Sequence, residues 1–143
     1  GFTIVELLIV IVVIGILAAL VITTFTGIQQ KGRDTERTTD LKATASQLEA
    51  YWAEKGNYPS FANMTTAGWA TGNLKGLDQN ALADPKSPTN FTYAASPGAN
   101  VYSYQTVPSG CDNSTGNECT SFTLTAMAEG GSKAPIVQKS LNN

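Results

Sequence analysis

The chain has 143 residues, room for one domain or one domain with an appendage, and a formal net charge of -2. That balance removes the electrostatic case for nucleic acid as a main partner, and the absence of histidine removes the commonest general base and metal ligand. No phosphate-binding loop, HExxH or GxSxG motif occurs, so the sequence reads as a non-enzyme that needs no cofactor.

The first element is GFTIVELLIVIVVIGILAALVI, and its one acid, Glu6, is out of place. From Leu7 to Ile22 every residue is apolar apart from Gly15, and residues 7–30 carry no charge. Such a run is a membrane-spanning signal, and a carboxylate at its edge calls for a partner or a purpose. A secretory signal peptide would put basic residues before the apolar run, where this chain has an acid. The segment is therefore expected to be a retained, working part of the molecule. A plain single-pass anchor would explain the run but leave Glu6 only as a carboxylate snorkelling to the headgroups.

Beyond Ile22 the stretch TTFTGIQQKG loses hydrophobicity gradually, with Gly27 and Gly32 but no proline. Arg33–Glu36, Asp34–Arg37 and Arg37–Asp40 then stand as i,i+3 pairs of opposite sign, each worth a few tenths of a kcal/mol at best. Leu41, Ala45, Leu48 and Trp52, spaced by four, three and four, form one apolar helical stripe. Lys55, Gly56 and Pro59 supply a last-turn cation, a helix-ending glycine and a proline beyond it. One helix of about 54 residues, Phe2 to Lys55 and ~80 Å long, is expected.

Residues 57–90 read as an irregular connection pinned by Phe61, Met64, Trp69, Leu74, Leu77 and Leu82, with a short helical turn near Asn80–Ala83. Strand patterns follow at Phe91–Tyr93, at Val101–Val107 with Tyr102 and Tyr104 on one face, and at Ser121–Ala128 with Phe122, Leu124 and Ala126 inward. Short connections favour antiparallel pairing, and the helical stripe is the natural cover for the sheet. The expected fold is α+β: one long N-terminal helix, apolar in its first half and amphipathic in its second, packed on a small three- to four-stranded antiparallel sheet. Three regions result: 1–28, the apolar half of the helix; 29–56, its amphipathic half; and 57–143, a loop-plus-sheet head.

Cys111 and Cys119 lie eight apart in the polar loop CDNSTGNEC. That spacing matches neither a CxxC redox pair nor a zinc knuckle, so a disulfide in an oxidising, extracytoplasmic setting is expected. Asp112, Asn113, Ser114, Asn117 and Glu118 offer hard oxygen ligands, and a calcium site is the minor alternative to a simply solvated loop. Asn63, Asn90 and Asn113 each begin an N-x-T acceptor pattern, which is common by chance.

The opening GFTIVELLIVIVVIGILAALV resembles the N-terminal signature of type IV pilins and of the pseudopilins of type II secretion. The resemblance is dense over residues 1–28, and LEAYWAEKGNYPS further on is similar to the helix end and GxYP turn common in that family. Asp84-Pro85 with Phe91-x-Tyr93 is similar to the sheet region of pseudopilins and related pilins. The resemblance implies prepilin-peptidase cleavage between Gly1 and Phe2, N-terminal methylation, and assembly through Glu6. Mature members normally begin at the phenylalanine, so either Gly1 is the residue before the cut or this chain is cut elsewhere or not at all. It further implies a single-pass inner-membrane subunit, lifted by assembly machinery into a helical homopolymer on the cell surface, with Glu6 near a neighbour's terminal amine setting register. A major pilin is the favoured reading; a minor pilin or a secretion pseudopilin is the alternative. Many bacterial pilins carry a proline where this chain has Thr23. Loosening of the assembled helix would here rest on Gly15 and on the β-branched run ending in Thr23 and Thr24.

Overall fold

The computed structural model describes residues 1–130 and 134–142. Helix α1 runs Ile4–Lys55, 52 residues. It starts two residues later than expected because Thr3, in extended conformation, caps it: its side chain accepts from the Glu6 N–H while the Glu6 carboxylate accepts from the Thr3 N–H. It ends where the sequence says it should. Gly56 adopts φ 77°, a conformation costly for any residue with a Cβ, and its N–H donates to the Trp52 carbonyl at 2.7 Å.

The two halves of α1 live in different surroundings. Residues 4–28 are exposed on every side, whereas Arg37, Leu41, Thr44 and Leu48 are buried against the head. Ala45 and Trp52 are partly buried on the same core, so the expected stripe is the packing face. The charged turn before it differs from expectation. Only Asp34–Arg37 of the three i,i+3 pairs forms, at 2.8 Å. Arg37 is instead fully buried and reaches Asp84 and Glu129, while Arg33 turns to Glu129.

The connection after α1 is more regular than the sequence suggests. It contains α2 (Phe61–Thr65), α3 (Trp69–Asn73) and a 3₁₀ turn at Gln79–Leu82, close to the expected Asn80–Ala83. Helix α2 is nucleated by a reciprocal cap between Ser60 and Asn63. Met64, Leu74, Leu77 and Leu82 are buried pins, as read, and Phe61 and Trp69 are half-buried.

The sheet comprises β1 (Ser103–Val107), β2 (Ser121–Met127) and β3 (Pro135–Lys139), ordered β1-β2-β3 and antiparallel throughout. Tyr104 stands opposite Leu124, and Ala126 opposite Ile136. Phe122, Leu124 and Ala126 face inward as expected, and Tyr102 and Tyr104 are both buried. Phe91–Tyr93 is not a strand. There the chain makes one bridge, Ala94 to Ser103, held by hydrogen bonds to the Tyr102 carbonyl and from the Tyr104 N–H, and then turns away. The third strand is β3, which the sequence reading did not identify.

One core joins the layers. Trp52 stacks on Tyr58 at 4.6 Å, Tyr58 meets Phe122 edge-on at 4.9 Å, and the Tyr104 hydroxyl donates to the Pro59 carbonyl. Cys111 and Cys119 form the disulfide, their Cα atoms 5.3 Å apart and both side chains buried. Its loop docks on the turn after α1: the Tyr58 N–H donates to the Cys119 carbonyl, and the Asn113 amide donates to the Tyr58 carbonyl.

Candidate assembly surface

An apolar rod exposed on every face cannot stand in water; it requires lipid or other apolar helices around it. Phe2 is 94% exposed, and the large apolar side chains from Ile4 to Ile28 lie between 48% and 84% exposed. α1 is the one helix among the described residues long and apolar enough to cross a membrane.

Glu6 stands near the tip of this rod, in a shallow groove of about 320 Å³ lined by Phe2, Glu6, Leu7 and Val10. The capping geometry decides which of its atoms are occupied. Oε2 accepts from the Thr3 N–H at 2.8 Å and from the Thr3 hydroxyl at 3.0 Å. Oε1 has no hydrogen-bond partner among the described residues. One carboxylate oxygen therefore fixes the side chain while the other faces outward among apolar groups. That is a preoriented acceptor for a cation brought by another molecule. The sequence reading named Glu6 but missed Thr3, although T-x-x-E before an apolar run is itself a capping signature.

Gly1 and Phe2 precede the helix and meet nothing that would shield the bond between them. Gly15 lies in open surface, with no atom within 4 Å of where a Cβ would stand. In the single chain the helix is unbroken there and onward. The Thr23 and Thr24 hydroxyls both donate to the Leu20 carbonyl at 3.0 Å, so two side chains share an acceptor already in the helical ladder. Leu20, Val21, Thr24, Phe25 and Ile28 bound a second apolar groove of about 290 Å³.

Where the rod enters the head, an ionic cluster fixes their relation. The Arg37 guanidinium is bidentate to Asp84 at 2.7 and 2.9 Å and also reaches Asp34 and Glu129. Arg33 and Lys86 close on Glu129 from other directions. Arg33, with Lys86 and Arg37, holds the Glu129 carboxyl well below the ordinary range against the opposing effect of burial. Its neighbour Asp40 behaves oppositely: burial pushes its carboxyl up to about 6, although it accepts from the Tyr102 hydroxyl at 2.7 Å. The cluster was legible in part, because Arg37 stands one turn before Leu41 and in phase with it.

In the cysteine loop, the candidate calcium ligands bond to one another. Asp112 Oδ1 accepts from the Ser114 N–H, the Ser114 hydroxyl and the Asn117 amide, and Asn113 is spent on Tyr58 and Cys119. Among the described residues no group of three acidic, cysteine or histidine side chains could hold a metal ion.

Fold and surface together define a class: a stem of apolar helix that becomes amphipathic where a small disulfide-closed α+β head packs on it. The chain is 36% identical over 101 residues to the type IV major pilin protein PilA of Myxococcus xanthus, an alignment covering 71% of this chain and 46% of that protein. Over 60 residues, 42% of the chain, it is 37% identical to the type II secretion system core protein G of Dickeya chrysanthemi, covering 39% of that protein. It is 35% identical over the same length to the Escherichia coli K12 protein of that name, covering 41% of it. The matches thus span less than half the length of these relatives. No family model matches the chain, and no solved structure matches it. These matches support the family of type IV pilins and type II secretion pseudopilins.

Proposed function

We propose that this chain is the major structural subunit of a type IV pilus. It waits as a single-pass inner-membrane protein and is then drawn by assembly machinery into a helical homopolymer on the cell surface. The observation that carries this reading is the rod itself, exposed on all sides from Ile4 to Ile28 and ending in a capped Glu6 with one oxygen free. Acyl chains satisfy the rod's surface but offer nothing to that oxygen. A bundle of like helices satisfies both, because a shifted neighbour brings its terminal amine alongside. A buried ion pair adds little net stability, yet leaving either partner alone is costly, so the pair selects register. Prepilin peptidase acting between Gly1 and Phe2 would supply that amine, which it would also methylate.

Three features favour a pilus over a secretion pseudopilus. The pilin alignment extends well past the helix, 101 residues against 60. The head is closed by a buried disulfide, and Asp112, Ser114 and Asn117 of its loop bond to one another. Those features suit a durable exposed fibre.

Glu6→Ala is expected to leave the subunit in the membrane at normal levels while abolishing or sharply reducing surface filaments. Glu6→Lys should be worse, since it sets like charges together. Filaments sheared from cells and resolved by electrophoresis check both, with this chain expected as the bulk component. Normal filament yield from Glu6→Ala would sink the registry role.

A further inference from the structure

The amphipathic half of α1 has a second side that nothing in the single chain covers. Arg37, Leu41, Thr44 and Leu48 mark the side buried under the head. On the opposite side Thr35, Thr39, Ala43, Ser46 and Ala50 are exposed, all with short side chains. The margins of that strip carry charge of opposite sign. At about 100° per residue, Lys31 and Lys42 fall within roughly 20° of each other on one margin, and Glu36 lies about 120–140° away on the other. All three are exposed, and none has an ion-pair partner among the described residues. The acidic margin is reinforced by Asp40, which lies near enough to Glu36 and to Asp78, at the start of the 3₁₀ turn, to feel both charges.

We propose that this strip is a docking surface for a second copy of this chain, on which Glu36 of one copy pairs with a lysine, Lys42 or Lys31, of the next. The proposal rests on the filament reading above and adds to it a polar register pair remote from the membrane. Copies anchored by the same apolar end stand parallel. Parallel copies that carry lysine on one margin and glutamate on the other are complementary only when the margins differ, which is heterologous association that does not close. Short side chains between the margins allow the axes to approach to about 8–10 Å.

The axial spacing agrees with the tip of the rod. At 1.5 Å per residue Lys31 lies ~7.5 Å below Glu36 and Lys42 ~9 Å above it. A neighbour raised by that amount brings its Glu36 level with Lys42 of the lower copy, or its Lys31 level with the lower Glu36, according to the hand of the helix. Raising it by four residues, ~6 Å, brings Phe2, the start of the processed chain, level with the lower Glu6. Two charge pairings thirty residues apart therefore call for staggers of similar size, ~6 Å at the tip and ~7.5–9 Å at the strip.

The test is charge reversal with rescue in cells that display filaments of the wild-type chain. Glu36→Lys is expected to cut sheared filament yield by roughly tenfold or more while the subunit stays in the membrane, because like charges then face across the strip. Combining Glu36→Lys with Lys42→Glu or with Lys31→Glu should restore yield for one of the two lysines, and the one that rescues identifies the pair. Undiminished filaments from Glu36→Lys, or rescue by neither double variant, would overturn the docking surface and leave the filament reading standing. Absence of filaments from the wild-type chain would remove the filament reading, and this proposal with it.

Discussion

A buried guanidinium is tolerated only when its donors are taken and its charge is matched. Arg37 meets both conditions: Nε and Nη2 go to Asp84, and Nη1 to Asp34 and Glu129, with no side-chain exposure. These bonds tie α1 to two segments distant in sequence, the Asp84–Lys86 turn and the end of β2. Replacing Arg37 with Met keeps length and loses charge, stranding Asp84 in the core. A loss of about 3–5 kcal/mol of head stability is expected, read as a lower thermal midpoint of the near-ultraviolet signal in detergent. Arg37→Met with Asp84→Asn should recover part of it, because the stranded charge is then gone.

The same residues set the response to pH, and their signs differ. Glu129 has its carboxyl pK depressed, so its contribution is present above the ordinary value of 4.5 and is lost as pH falls. Asp40 is raised from 3.8 to about 6, so its ionisation penalises the folded state and stability falls as pH rises between those values. Asp40→Asn keeps an acceptor for Tyr102 and removes the titration. Thermal midpoints across pH 3.8 to 6 should then rise more steeply with pH in the variant than in the parent chain. Parallel profiles would show that Asp40 does not titrate in this window.

At the scale of elements, the cysteine loop links β1 to β2 and props the turn that ends α1. A bridge across a sequence separation of 8 should contribute ~2–3 kcal/mol, chiefly by constraining the unfolded chain. Reduction is expected to lower the head's midpoint and to loosen first the Tyr58–Asn113 contact. Amide exchange at Tyr58 and Cys119 reads this directly, since the Tyr58 N–H donates across to the Cys119 carbonyl and the Cys119 N–H donates to the Asn113 side chain within the loop. Unchanged exchange at both amides after reduction would show that the hydrogen bonds hold the loop without the bridge.

What the sequence disclosed follows from how each element is stabilised. Helix α1 and β2 bury a periodic face and are punctuated at their ends, so pattern alone located them. Strand β3 sits at a sheet edge with alternating exposed and half-buried residues and begins on a proline, so its place is set by its pairing with β2 and not by its own pattern. Phe91–Tyr93 shows the converse. Its composition suits a strand, but a single bridge is all its surroundings offer. Arg37 was misjudged because a charge among charges reads as solvated, although its helical phase with Leu41 and Leu48 pointed inward. Of the candidate assembly residues, Glu6 was evident by its incongruity and its Thr3 cap was legible, though missed, in T-x-x-E, whereas the opposite-sign margins of the helix emerge only once the head's position is known.

For the whole molecule, the proposed function requires one rod to suit two solvents. In lipid every backbone group must be paired, and the unbroken helix Ile4–Lys55 meets that demand. Among packed helices at a filament axis the demand relaxes, because neighbouring side chains can take freed carbonyls. Gly15 costs ~1 kcal/mol relative to alanine, and Val21, Ile22, Thr23 and Thr24 are β-branched with weak helix propensity. The two threonines already donate to the Leu20 carbonyl, so a carbonyl released there has a substitute donor in place. No residue in the stretch lacks an N–H, so the helix is weakened without being forced open. We therefore expect loosened or extended backbone within Gly15–Thr24 of the assembled filament, with the free subunit helical throughout. A filament reconstruction that resolves the backbone decides it. An i→i−4 ladder continuous from Leu7 through Lys42 would show that unwinding needs proline, and that glycine with β-branched neighbours is not enough.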